Sequence, residues 1–240
     1  MQQTYLNLFD KDRSRKIPLS VYLPEMKDVN NIPVFIFNPS YQTQEELGKS
    51  NVVFKCNNYK YLANYFTGNG YAFVAMQHEM LGDNDGLEVI DSSLPQNEAR
   101  KHLYQRGMEN ILFVINELKR HFPKLKTDKF ILGGHSNGGD IAKYYANHYP
   151  KTVSNLILLD ARRCFIKPKL NLRILMFEAP DSSTDIGVLP DEGTKDNPKR
   201  KNLEWVIVKP KNATHSGYSD SYIPTEVRKQ VINTIEWFLK

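Results

Sequence analysis

Apolar and polar positions along the chain alternate between two spacings. Short apolar runs at Ile17–Leu23 and Pro33–Phe37 predict strands, the second ending at the turn pair Asn38-Pro39. Residues 59–66 carry helical spacing, Gly68-Asn69-Gly70 closes it, and YAFVAM from Tyr71 supplies another strand. Gly82 to Gln96 is polar and broken by Gly and Pro, which predicts a long loop. From Asn97 to His121 a helix is expected, with Leu103, Gly107, Ile111, Ile115 and Leu118 forming one inward stripe.

The alternation continues through a strand at KFILGG, a helix over Asp140–His148 and a strand at SNLILLD. A basic link, ARRCFIKPKLN, leads to the strand RILMFEA, a polar loop from Pro180 to Asn202, the strand EWVIVK and a helix over Thr225–Leu239. Strands alternating with helices over nearly the whole length predict an α/β protein: a mostly parallel central sheet with helices on both faces. A length of 240 residues suits one domain spanning 1–240.

In such a sheet, ligands bind beyond the carboxyl ends of the strands, where Ser136, Asp160, Asp181 and His215 fall. Ser136 is central to GGHSNGG, between a predicted strand and a predicted helix. Glycines at 134 and 138 fit a G-x-S-x-G nucleophile elbow, and the Asn137 amide at the helix start can donate to an oxyanion. A nucleotide-binding turn is the rival, but no lysine stands at a P-loop position; a plain turn is the other reading.

A serine hydroxyl needs a base, and the base needs a carboxylate to fix its tautomer. His215, in NATHSGYSD after the last predicted strand, is the expected base. Asp181, a short turn beyond RILMF, is the favoured acid, with Asp185 and Asp160 as alternatives and Glu178 after them.

On these motifs the chain resembles the α/β-hydrolases, more narrowly the serine esterases related to dienelactone hydrolase and the platelet-activating factor acetylhydrolases. FDKDRSRKIPLSVYLP, GYAFVAMQHE, GHSNGG and THSGYSD carry the resemblance. It implies Ser136 as nucleophile, His215 as general base and acid, Asp181 as orienting acid, and the Tyr41 backbone amide as an oxyanion donor beside Asn137. It also brings in Arg106 and His78 as candidates for the pocket wall or its support, and His135, beside Ser136 in the same turn, is a further candidate. Where these esterases have His-Gly before the donor, this chain has Pro39-Ser40; proline has no amide hydrogen, and serine lacks glycine's backbone freedom.

The reading is therefore a serine carboxylic-ester hydrolase for small or short-acyl esters, working through an acyl-enzyme with no metal or organic cofactor. The link between LILLD and RILMF is too short for an inserted lid, so the pocket is expected to be open or loop-lined. Amide, peptide or thioester hydrolysis by the same residues is the alternative, and an idle binding protein on a hydrolase scaffold is the third. The +5 formal charge is scattered apart from PKRKN at Pro198, which argues against a nucleic-acid partner. Cys56 and Cys164 have neither disulfide nor metal-site spacing. With no signal-like or membrane-spanning run, a cytoplasmic location is expected.

Overall fold

A computed structural model describes residues 1–25, 30–167, 171–189 and 203–240. Its strands are β1 (Gln2–Asp10), β2 (Arg15–Leu23), β3 (Ile32–Asn38), β4 (Ala72–Met76), β5 (Leu125–His135), β6 (Val153–Leu159), β7 (Leu172–Phe177) and β8 (Leu203–Val208). The α-helices are α1 (Gln44–Leu47), α2 (Lys60–Gly68), α3 (Gln96–Ala99), α4 (Lys101–His121), α5 (Asn137–His148) and α6 (Thr225–Leu239). The strands form one sheet in the order β1-β2-β4-β3-β5-β6-β7-β8. The β1–β2 and β2–β4 pairings are antiparallel and the others parallel.

Side-chain alternation along the strands feeds two cores. Val34, Ile36, Leu132, Leu156, Leu158, Ile174 and Met176 face α4 and α5. Phe35, Phe37, Ile131, Ile157, Leu159, Leu175 and Phe177 face α2 and α6. Both faces of each central strand are thus dry, which is why these strands read as unbroken apolar runs. The second core is aromatic: Phe35 packs on Phe66 with ring centroids 4.5 Å apart and edge-on to Phe73 at 5.4 Å. On the opposite face Gly107 lets α4 approach α5, since a Cβ there would lie 2.5 Å from the Ile141 side chain.

The first strand, the helix over 97–121 and the start of α5 differ from the sequence expectation. β1 carries no apolar run in the sequence, because it is an edge strand whose only buried side chains are Leu8 and Asp10. Its turn is organised by Asp10, which accepts from the Asp12 amide at 3.1 Å and from Arg13 Nε at 2.6 Å. The helix expected over 97–121 is divided at Arg100, whose φ of −97° and ψ of 3° interrupt the spiral. Helix α5 begins three residues earlier than Asp140, directly after Ser136. The PKRKN run and most of the polar loop before β8 lie outside the described residues.

Together these elements make an α/β-hydrolase fold, and the link from Asp160 to β7 is too short for an inserted lid domain. No described helix is long and apolar enough to cross a membrane.

Candidate active site

The carboxyl ends of β3, β5 and β6 and the loop after β8 converge on Ser136. Ser136 has φ 53° and ψ −124°, a left-handed conformation that L-residues adopt only under constraint. The constraint is the junction itself: its amide donates to Leu159 O at 2.9 Å, and its carbonyl accepts from Asp140 N at 3.1 Å. A Cβ at 138 would sit 2.1 Å from Asn38 O and 2.2 Å from Pro39 O, so only glycine lets the elbow rest on the loop after β3.

Ser136 Oγ lies 2.9 Å from His215 Nε2. The other ring nitrogen, Nδ1, bonds Asp160 Oδ2. Because an ionised carboxylate only accepts, Nδ1 carries the proton and Nε2 presents its lone pair to the serine hydroxyl. Asp160 is itself fixed: Ala179 N donates to Oδ1 at 2.9 Å, and Ser182 Oγ to Oδ2 at 2.7 Å. Burial pushes the Asp160 carboxyl up, and the hydrogen bonds from His215, Ala179 and Ser182 outweigh it, holding the group below its ordinary range.

This corrects the expected pairing of Asp181 with the imidazole. Asp181 Oδ1 instead accepts the backbone amide of His215 at 2.8 Å, anchoring the loop rather than the ring. Asp185 is paired with Arg163, and Glu178 accepts from Thr184 Oγ1 at 2.9 Å and pairs with Lys209 at 2.9 Å. Asp160 reaches the ring because it follows β6 immediately, with φ 48° turning its side chain out of the strand path. A buried acid at the tip of an apolar strand was the signal available in LILLD.

His135 and Tyr59 tie the two sides of the site together. His135 Nε2 donates to His215 O at 2.6 Å, and its Nδ1 accepts from the Tyr59 hydroxyl at 2.8 Å. The Tyr59 oxygen in turn accepts from Ser40 N at 3.3 Å. Burial, aided by the nearby His215, lowers the His135 pKa to about 3, so this ring stays neutral. Nothing in the sequence spacing marked Tyr59.

The amides of Asn137 and Tyr41 have no partner among the described residues, and neither has the side-chain amide of buried Asn137. Tyr41 holds its side chain away from the elbow, with its hydroxyl 2.9 Å from Glu88 Oε2. His78 is an internal brace: Nε2 donates to Asn38 Oδ1 at 3.0 Å, and Nδ1 accepts from Asn110 at 3.1 Å. Arg106 is buried and pairs with Glu79 at 3.0 Å and Asp85 at 2.6 Å, which fixes the loops behind the site. Arg162, unmarked in the sequence reading, brings Nη2 to 3.3 Å from His215 Nε2. Among the described residues no three His, Cys, Asp or Glu side chains gather as a metal site. A cavity of about 380 Å³ lies apart from these residues, between Lys101, Tyr104, Tyr144, Cys164 and Phe165.

Comparison with known proteins fits this geometry. A family profile described as serine aminopeptidase, S33, matches residues 53–183, a span that holds Ser136 and Asp160. The chain belongs to the serine aminopeptidase S33 family. As a member of that family it is a serine hydrolase. No curated protein sequence matches it. Among solved structures, it is similar to a Klebsiella pneumoniae protein assigned as a dienelactone hydrolase, with TM-score 0.64 and 16% identity over 100% of this chain and 98% of that one. It is similar also to an S-formylglutathione hydrolase from Agrobacterium tumefaciens, with TM-score 0.62 and 13% identity over 98% and 94% of the two chains. A dienelactone hydrolase-like promiscuous phosphotriesterase from metagenomic libraries aligns with TM-score 0.62 and 15% identity over 98% and 97%. At these identities the S33-family chain shares their fold.

Proposed function

We propose that this S33-family chain hydrolyses small or short-acyl carboxylic esters with Ser136 as nucleophile, His215 as general base and acid, and Asp160 as the orienting carboxylate. The observation carrying this reading is the 2.9 Å contact between Ser136 Oγ and His215 Nε2, on an imidazole whose other nitrogen is bonded to Asp160. His215 takes the serine proton as Oγ attacks the ester carbonyl. The tetrahedral oxyanion accepts from the amides of Asn137 and Tyr41. Collapse breaks the bond to the alkoxy group, which leaves as alcohol with the proton from His215. Water then gives its proton to His215 and attacks the acyl-serine, and the acid departs as the proton returns to Ser136.

The family description raises aminopeptidase activity as a second reading. A substrate α-ammonium needs an uncommitted carboxylate near the nucleophile. Among the described residues Asp160, Asp181, Asp185 and Glu178 are all engaged, and the charge beside His215 is the cation Arg162. That arrangement favours ester over amine-bearing peptide. Fluorophosphonate labelling at Ser136, abolished in S136A, is the expected result. A panel of short p-nitrophenyl esters, thioesters and aminopeptidase substrates separates the classes: turnover confined to amides sinks the ester reading, and no labelling at all favours an idle scaffold.

A further inference from the structure

Arg162 occupies a position for which the hydrolytic cycle has no task. His215 Nε2 has one lone pair once Nδ1–H is directed at Asp160, yet two donors reach for it, Ser136 Oγ at 2.9 Å and Arg162 Nη2 at 3.3 Å. Arg162 Nε lies 3.7 Å from Asp160 Oδ2, but that oxygen already accepts from His215 and Ser182. The guanidinium has five N–H donors, and no other acceptor meets it among the described residues. Its neighbour Arg163 is paired with Asp185, whereas Arg162, equally open to solvent, has only the 3.7 Å approach to Asp160.

Left as it stands, this cation hinders the chemistry twice. It competes with the serine hydroxyl for the base, and it repels the imidazolium that forms when Ser136 gives up its proton. An anion seated on the guanidinium removes both hindrances, because it draws the N–H donors away from Nε2 and balances the charge. The planar fork of arginine suits a carboxylate in particular, which can accept two parallel hydrogen bonds.

Resting on the ester-hydrolase reading above, we propose that Arg162 binds a carboxylate of the substrate, so that the preferred substrates are half-esters of short dicarboxylic acids, with a free carboxylate a few bonds from the scissile carbonyl. The substrate anion then acts as a key: it engages Arg162 and frees His215 Nε2 for Ser136. A neutral ester leaves the guanidinium competing for the base.

The test compares monoethyl succinate with ethyl 4-oxopentanoate, an uncharged ester of closely similar shape, by pH-stat at neutral pH. The expected wild-type kcat/KM ratio favours the half-ester by at least about tenfold, and the ratio falls as salt is raised. In R162Q it drops towards one, with the half-ester losing chiefly through KM, and R162K retains part of it. Each ratio is internal to one preparation, so partial misfolding, which lowers both rates alike, does not mimic the effect. A wild-type ratio near one, or a preference that survives in R162Q, overturns the proposal. Equal loss on both esters in R162Q also overturns it and makes Arg162 an oxyanion contact. If neither ester turns over and fluorophosphonate does not label Ser136, the hydrolase reading itself fails; labelling with no half-ester preference leaves that reading standing.

Discussion

Asp160 accepts the Nδ1–H hydrogen bond of His215 across a separation of 55 residues in sequence, while Asp181, much nearer along the chain, holds only the backbone amide of the same histidine. The two acids divide the work on one residue. One sets the tautomer and orientation of the ring, and the other sets the path of the loop that carries it. Tyr59 and His135 add a third attachment at the His215 carbonyl.

The division is measurable with isosteric changes. Asp160→Asn offers an amide in place of the carboxylate and stabilises the wrong tautomer, so kcat is expected to fall by about 10³- to 10⁴-fold. Asp181→Asn removes one charge-assisted hydrogen bond from a loop held elsewhere, and its loss is expected to stay within about tenfold. Steady-state rates on folded variants decide it; the reverse order would return the orienting role to Asp181.

How much of this was legible in the sequence depended on what each signal encodes. The central strands and the stripe of α4 were readable because burial on a fixed face imposes a period, and α6 spans the expected Thr225–Leu239. Ser136 and His215 were readable as candidates because an elbow needs glycine at 134 and 138, and because a histidine in a loop beyond the last strand can reach over the sheet. The acid was not, since chain order is satisfied equally by Asp160, Asp181 and Asp185. Only the geometry at the tip of β6, with Asp160 at positive φ, separates them. Arg162 and Tyr59 carry no periodic or motif signature, and their positions are products of tertiary folding.

His135 links the site to acid stability. Its pKa in the folded protein is about 3, against about 6.5 for a free imidazole. Between those values the unfolded chain binds the extra proton, so the contribution of His135 is fully present above about pH 6.5 and is lost as pH falls towards 3. The slope is at most about 1.4 kcal/mol per pH unit. Urea unfolding of wild type and His135→Gln at pH 7.5, 6 and 5 should show the wild type losing stability more steeply below pH 6.5. Parallel curves would mean that the ring titrates normally.

Gly138 tests how tightly the elbow is pressed on the loop after β3. A methyl group there meets two backbone carbonyls, of Asn38 and Pro39, neither of which can rotate aside. Gly138→Ala is therefore expected to cost about 3 kcal/mol and to displace Tyr41 along with the loop. Thermal melts report the first effect. The second appears as a fall in kcat that exceeds any change in KM, because an oxyanion donor acts on the transition state.

Arg106 and Glu79 form a buried pair behind the site, and their removal has a pH signature of the opposite sign to that of His135. Burial raises Glu79 to about 7 even though Arg106 opposes the shift. The folded protein therefore binds the extra proton between the ordinary glutamate range and pH 7, and stability declines as pH rises through that window. Arg106→Gln leaves the carboxylate without its cation, at an expected cost of about 3–5 kcal/mol. It also drives the Glu79 pKa further upward, so the gap from wild type should be wider at pH 8 than at pH 6. Adding Glu79→Gln to Arg106→Gln should restore much of the stability and remove the extra pH dependence, because no charge is then buried alone. Denaturant titrations at the two pH values check both statements, and a gap that narrows with rising pH would rule out Glu79 as its source.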